Sequence, residues 1–310
     1  MYKDNKIAVV VPAYNEKKLI RRVLDTIPFF VDWIIVVDDA STDDTGRVAE
    51  FSPDSRVTVI RHEVNRGVGG AIITGHKKAL KLGADISVVM AGDAQMNPKF
   101  LPNLIDPLIE EAYDYTKGNR FLTNESVHEM PKTRVLGNIM LTFFTKLASG
   151  YWNIFDPQNG YTAIKANILK NLNLDRINKR YEFENDMLVN LNIRNCRVKD
   201  VAIPAVYGDE VSGIELYKFV PRTILLLTHR FFKRINEKYI LRNFHPIALF
   251  LFSGSIISLI GFLYGIHLVQ LHFHSISPSA GTVMLSVIPL TLGYQLLLIA
   301  FVLDIIETPK

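Results

Sequence analysis

Four short segments of this 310-residue chain carry the side chains most able to do chemistry. They are Pro12-Ala13-Tyr14-Asn15-Glu16, Asp38-Asp39-Ala40-Ser41-Thr42, Asn65-Arg66-Gly67-Val68-Gly69-Gly70 and Gly92-Asp93-Ala94-Gln95-Met96-Asn97-Pro98. A carboxylate in the second segment can accept hydrogen bonds from the imide N–H of a uracil or from ribose hydroxyls. Asp38 and Asp39 are consecutive, so their side chains diverge and one of them faces the ligand. Asp93 offers a hard oxygen to a divalent cation, Mg²⁺ or Mn²⁺, of the kind that pairs with one or two carboxylates and with phosphate. Gln95, two residues on, points the same way and adds a neutral oxygen. The glycines at 67, 69 and 70 either form a tight turn that packs a helix on a sheet or let a sugar or phosphate approach the backbone.

Each segment follows a short β-branched run: Lys6–Val11, Trp33–Val37, Val57–Arg61 and Ile86–Met90. Helical patterns lie between them at Lys17–Thr26, Thr42–Phe51 and Gly70–Leu82, with Ser41 and Thr42 as cap candidates. This alternation predicts a doubly wound α/β domain with a parallel sheet. Ligands bind such sheets beyond the carboxyl ends of the strands, where all four segments fall. A dinucleotide-binding domain is disfavoured, because its glycine fingerprint belongs in the first strand–helix turn and that turn here has no glycine.

Charge divides the chain in two. Of its 66 charged residues, 63 lie in residues 1–242, and none lies between Asn243 and Leu303. This pattern excludes a uniform soluble chain, a disordered chain and an ordinary secreted domain. Pro246–Val269 and Thr282–Leu303, as helices, reach about 36 and 33 Å, enough for a hydrocarbon core of about 30 Å. The alternative is a buried helical hairpin. Before the first run, Lys218, Arg222, Arg230, Lys233, Arg234, Lys238 and Arg242 interleave with Leu225, Leu226, Leu227, Phe231, Phe232 and Ile235. Such a stretch suits the lipid headgroup region, and the alternative is a solvated helix packed on the domain. The positive-inside rule then puts residues 1–242 in the cytoplasm. The polar opening Met1–Lys6 does not read as a cleavable leader. A single cysteine, Cys196, excludes a disulfide framework or Cys-based zinc site within one chain, and a net charge of +4 is too mild to indicate nucleic acid. Cys196 and His76 read as structural, His272 and His274 as exposed.

Taken together, the four motifs resemble the signatures of glycosyltransferase family 2, of GT-A fold. With two C-terminal spans, the chain is most similar to the polyprenyl- and dolichyl-phosphate glycosyltransferases. The resemblance implies a Rossmann-like, mostly parallel sheet in a cytoplasmic catalytic domain over residues 1–215. It implies a basic amphipathic juxtamembrane segment at 216–243 and a two-helix transmembrane hairpin within 244–306. Pro12, Tyr14, Glu16, Asp38, Asp39 and Gly67 would hold the nucleotide sugar, and Asp93 and Gln95 the metal and diphosphate. Arg120, in Gly118-Asn119-Arg120, and Arg134 would clamp the acceptor phosphate, since a guanidinium fork suits that group. Asp156, in Asp156-Pro157-Gln158-Asn159-Gly160-Tyr161, would sit near the reaction centre as a base or an orienting residue, with Glu182 and Glu184 on a loop beside it. Two positions depart from the family: Ala91 replaces the first acid of its Asp-x-Asp, and Gly213 follows Ser212 where many members carry a base.

The implied reaction moves a hexose, from a UDP-sugar in preference to GDP-mannose, to a membrane polyprenyl phosphate with inversion. The partners are the nucleotide sugar, the lipid phosphate and the bilayer, with no nucleic acid, and self-association stays open. Two alternatives remain: a membrane family-2 enzyme acting on a lipid alcohol or glycan, and an inactive nucleotide-binding scaffold, which Ala91 keeps in play.

Overall fold

The computed structural model describes residues 1–122, 132–204, 216–274 and 277–309, with the backbone alone at 132–138 and 216–220. β1 (Ile7–Ala13) is buried at all seven positions, as an unbroken Val/Ile/Ala run must be when helices cover both sheet faces. β2 (Trp33–Asp38) and β4 (Ile86–Val89) flank it in parallel, Val10 pairing with Ile35 on one side and Val89 on the other. β3 (Val57–Arg61) adds in parallel beyond β2. The predicted crossovers are α1 (Ile20–Thr26), α2 (Thr45–Glu50) and α3 (Val68–Leu82). α2 starts three residues later than its pattern suggests. The Ser41 and Thr42 N–H groups donate to Asp38 Oδ1 and Asn15 Oδ1, so these residues join loops rather than cap the helix.

The sheet continues through α4 (Leu101–Glu110), β5 (Tyr115–Asn119), α5 (Lys132–Ser149), β6 (Thr162–Lys165), α6 (Ala166–Asn171), α7 (Phe183–Ile193) and β7 (Val198–Ala202). Its seven strands run in the order β3-β2-β1-β4-β6-β5-β7. β6 is antiparallel to both neighbours, while β5 and β7 pair in parallel, which gives the mostly parallel α/β sheet. The order reverses between β1 and β4, and sheets of this kind bind ligands at the carboxyl edge beside such a reversal. All eleven residues of α7 are buried, polar ones included, which ties its acids into the domain. Cys196 is buried, and buried His76 bonds Ser87 Oγ at 2.8 Å, as structural residues do.

The chain divides into two compact units, Met1–Phe231 and Phe232–Thr308. α8 (Leu216–Arg234) leads from one to the other. In the first unit Leu227 of α8 packs with Ala148, Val189 and Ile193. Arg222 Nε stands 3.2 Å from Glu182 Oε1, and Arg230 Nη2 donates to Asp186 Oδ2 at 2.7 Å. Part of the expected lipid-facing basic stripe is therefore used on the protein's own acids, in line with the packed-helix alternative. Exposed Leu225 shows that an apolar side chain, too, faces outward.

In the second unit a π-helical turn, Ile235–Ile240, precedes α9 (Pro246–Phe273) and α10 (Ala280–Ile306). The two helices have 28 and 27 residues, with mean hydropathies of 2.2 and 2.0 over an 18-residue stretch of each, and both are long and apolar enough to cross a membrane. Leu259, Phe262, Leu285 and Ile306 point outward, an apolar surface suited to lipid rather than water. The pair packs through small residues: a Cβ on Gly293 would lie 2.6 Å from Ser258 N, and Ser286 Oγ donates to Gly261 O at 2.8 Å. α9 runs past the expected span, so His272 is an exposed residue of its last turn and His274 follows it. Near the end of α10, Asp304 accepts from Arg234 Nη1 and Nη2 at 2.6 and 2.9 Å and from the Tyr239 hydroxyl at 2.8 Å, and all three residues are buried.

Removing one partner of a buried ion pair leaves the other charge uncompensated, at a cost of about 3–5 kcal/mol. Asp304→Ala should lower the Tm in detergent by about 10 °C. Arg234→Met combined with Asp304→Leu should recover most of that loss, because a packed apolar pair replaces the ions. Thermal unfolding of the three proteins checks both statements.

Candidate active site

The carboxyl edge is laced by backbone and side-chain hydrogen bonds. Asp39 N donates to Ala13 O at 2.9 Å, Asn15 N to Ser41 Oγ at 3.0 Å and Glu16 N to Thr45 Oγ1 at 2.7 Å, so the loops after β1 and β2 form one wall. Pro12 is buried and its carbonyl accepts from Gly92 N at 3.1 Å, which ties in the loop after β4. Tyr14 is 47% exposed at this edge, and Glu16 is half-buried beside it.

Asp38 and Asp39 are both buried and diverge as expected. Asp38 points into the β2–α2 turn: Oδ1 accepts from Ser41 N at 2.9 Å, and a Cβ on Gly46 would come within 2.5 Å of Oδ2. Asp39 turns toward the segment after β3. Its Oδ1 lies 2.7 Å from His62 Nδ1 and accepts from Arg66 N at 2.8 Å, and its Oδ2 accepts from Gly67 N at 2.7 Å. Gly67 sits at φ +83, and a Cβ there would be 2.5 Å from Lys179 O. Of the two readings of these glycines, chain packing has direct structural support. His62 is a participant that the sequence reading missed, although it directly follows β3 at the edge where ligands bind.

Asp93 is half-buried after β4, its Oδ1 accepting from Gln95 N at 3.0 Å. Burial raises its carboxyl above the usual range, and only backbone N–H groups oppose that rise. A carboxylate in this position is short of positive charge, which a hard divalent cation supplies. Gln95 is exposed two residues on, so an Asp93 carboxylate and a Gln95 amide fit such an ion. Among the described residues no group of three or more His, Cys, Asp or Glu could hold a metal. Ala91 contributes no carboxylate, and its N–H donates to Met96 Sδ at 3.1 Å.

From the Asp93 loop the site continues to the turn before β6, where the Tyr161 hydroxyl donates to Asn97 O at 3.1 Å. Buried Asp156 in that turn is gripped by Arg120: Nε to Oδ2 at 2.8 Å, Nη2 to Oδ1 at 3.0 Å, and the Arg120 N–H to Oδ2 at 3.2 Å. The expected acceptor clamp and reaction-centre acid are thus each other's partners. Arg134 lies on α5, but its side chain is outside the described residues, as are Ser212 and Gly213.

Behind this fork lies a buried charged cluster. Lys117 of β5 donates from Nζ to Asn159 O, inside the Asp156–Gly160 turn. Burial pushes its ammonium down to about 8, with Asp156, Glu184 and Asp200 drawing it back up. Burial pushes Glu184 up to about 7 and Asp200 of β7 up to about 6, in each case against the pull of Lys117. Asp200 Oδ2 accepts from Asn119 Nδ2 at 2.6 Å and Phe155 N at 2.8 Å. Glu182 sits in the turn that leads into α7, whereas Glu184 is helical and not on a loop. Glu182 immediately precedes α7 and Glu184 is in its first turn, both buried, because α7 is enclosed on all sides. A Cβ on Gly160 would lie 3.3 Å from Glu184 Oε1. Lys117 and Asp200 were also missed. The available signal was a charged residue inside each of two short strands, one of them running into Gly118-Asn119-Arg120.

Glu184 makes a pH prediction. An acid whose folded pKa is raised binds more protons in the native than in the unfolded state between about 4.3 and its folded value. It therefore lowers stability as pH rises through that window, up to about 7. Glu184→Gln removes this contribution, so the Tm difference, variant minus wild type, should grow from pH 5 to pH 8. Thermal unfolding at intermediate pH values measures it, and a constant difference would contradict a buried, raised Glu184.

The family model of Glycosyl transferase family 2 matches residues 8–172. The UDP-N-acetylglucosamine–dolichyl-phosphate N-acetylglucosaminyltransferase of Methanococcus voltae is 34% identical, over 66% of this chain and 88% of that protein. The undecaprenyl-phosphate mannosyltransferase of Micrococcus luteus is 29% identical, over 65% of this chain and 84% of that protein. The crystal structure of glucosyl-3-phosphoglycerate synthase from Mycobacterium tuberculosis, in complex with UDP, superposes with a TM-score of 0.57 at 24% identity, covering 73% of this chain and 80% of that one. The structural likeness establishes the fold, and the sequence match establishes the family. The chain belongs to glycosyl transferase family 2 and is a glycosyltransferase.

Proposed function

We propose that this chain transfers a hexose from a nucleotide-diphosphate sugar to the phosphate of a membrane polyprenol, with UDP-sugars favoured over GDP-mannose and with inversion at the anomeric carbon. The observation that carries this reading is the polyprenyl-phosphate acceptor shared by the names of its relatives, one of which acts from UDP-N-acetylglucosamine. The two apolar helices support a membrane-anchored enzyme, and the basic residues before them support a cytoplasmic catalytic domain.

In this reading Pro12, Tyr14, Glu16 and Asp39 form the nucleoside wall, with Asp39 also holding the Gly67 turn. Asp38, directed into its own loop, supports that wall from behind. Asp93 and Gln95 would hold a divalent cation, Mg²⁺ or Mn²⁺, whose positive charge would offset that of the diphosphate. An acceptor phosphate monoester has a second pKa near 6, so its oxygen is already anionic at neutral pH. That oxygen forms the new bond to the anomeric carbon as the carbon–oxygen bond to the diphosphate breaks, and no proton need be removed. Positioning and charge neutralisation are then the main tasks. Arg120 serves as an acceptor clamp, with Arg134 assigned to the same task. Asp156 orients rather than deprotonates, because both of its oxygens already accept from Arg120.

Incubation of detergent-solubilised protein with radiolabelled UDP-GlcNAc, UDP-glucose or GDP-mannose and a polyprenyl phosphate tests the proposal. Label should enter the lipid from a UDP-sugar. Asp93→Ala should reduce transfer about 100-fold or more. Absence of transfer from every donor would contradict the proposal, and full activity in Asp93→Ala would remove that residue from the mechanism.

A further inference from the structure

One flank of α3 presents Thr74, Lys77, Lys78 and Lys81, spaced three and four residues apart on a single helix face. With Arg66, Asp175, Lys179 and the apolar Ile60 and Ile73, this flank lines a solvent-open cavity of about 270 Å³. Five cations therefore line it with one acid, and Lys77 already occupies that acid at 2.5 Å. Among the described residues no carboxylate pairs with Arg66, Lys78, Lys81 or Lys179. Lysines in the last turn of a helix complement its dipole, which accounts for Lys81. It does not account for Arg66, which precedes the amino end where a cation is disfavoured, or for Lys179, which belongs to a separate segment. Like charges gathered in a concavity raise one another's energy and focus a positive potential, and a shared anion relieves both.

The cavity wall also connects to the nucleoside side of the edge. Thr74 Oγ1 lies 2.9 Å from His62 Nε2, and His62 Nδ1 lies 2.7 Å from Asp39 Oδ1. Arg66 donates its backbone N–H to the same Asp39 oxygen at 2.8 Å. A ligand in the cavity would touch two residues that lead to Asp39 through short hydrogen-bond paths.

We propose that this cavity is a second anion site, separate from Asp93 and Arg120, that binds a phosphate-bearing group. Its volume is below the roughly 300 Å³ at which pockets for drug-sized ligands begin. It suits a diphosphate or the phosphate headgroup of an anionic lipid, which share the recognising chemistry, rather than a whole nucleotide sugar. The inference does not depend on the transfer reaction.

The test uses the full-length protein in phosphatidylcholine nanodiscs, with EDTA present so that cation-dependent binding elsewhere is silent. Calorimetric titration with inorganic diphosphate should detect a site that weakens with added salt. Lys78→Glu with Lys81→Glu should lower its affinity at least about tenfold, and so should Lys81→Glu with Lys179→Glu, whereas Asp93→Ala should leave it unchanged. Circular dichroism of the charge-reversed proteins confirms that they are folded. Absence of binding, or equal affinity in wild type and both charge-reversed variants, overturns the proposal. Discs with phosphatidylglycerol at roughly one lipid in three separate the two sources. Weakened diphosphate binding there identifies the lipid headgroup as occupant, and unchanged binding identifies a soluble anion.

Discussion

The grip of Arg120 on Asp156 is the interaction around which the second half of the site is arranged. Asp156 is fully enclosed, and a carboxylate in that position persists only where hydrogen bonds and a cation compensate it. Arg120 supplies three of those bonds from one residue, two from its guanidinium and one from its backbone. The consequence is mutual: Asp156 keeps its place and the plane of the guanidinium is fixed. A flexible arginine would lose side-chain entropy on binding a phosphate, and this one has already given much of it up.

The same need for compensation extends along the carboxyl edge. Asp39 is held by two backbone N–H groups and His62, Asp38 by the N–H of Ser41, and Asp186 by Arg230 and the N–H of Asn178. Lys117 faces three acids at once, and Glu184 and Asp200 meet what remains of the imbalance through raised proton affinity. Asp93 differs from all of these. Its carboxylate is raised by burial, with no side-chain cation among the groups acting on it, and a divalent cation would offset that imbalance.

Much of this was legible in the chain. The first four strands announce themselves through β-branched runs ended by turn residues, and the parallel half of the sheet follows. The charge-free block marked α9 and α10 because burying a charge in hydrocarbon is costly enough to leave a compositional gap. β5, β6 and β7 were less visible. They are four or five residues long, and β5 and β7 carry Lys117, Lys199 and Asp200 where a sheet pattern calls for apolar residues. Pairing was harder still: Arg120 and Asp156 are 36 residues apart and His62 and Asp39 are 23 apart, so nothing local links them. Glu182 and Glu184 looked solvated because acids usually are, and only the enclosure of α7 made them interior. The basic stripe of α8 suggested lipid, and two of its arginines, Arg222 and Arg230, instead meet Glu182 and Asp186, partners that lie about 40 residues away and that no local pattern links to them.

The central claim is that Arg120 and Asp156 act as one unit in presenting the acceptor clamp. A double-mutant cycle on the acceptor KM, with Arg120→Lys, Asp156→Asn and the pair, tests it most directly. The account predicts strong coupling: each single variant raises the acceptor KM, the donor KM stays close to wild type, and the double variant is little worse than the more severe single one. Additive effects of the two substitutions, or changes confined to the donor KM, would contradict it.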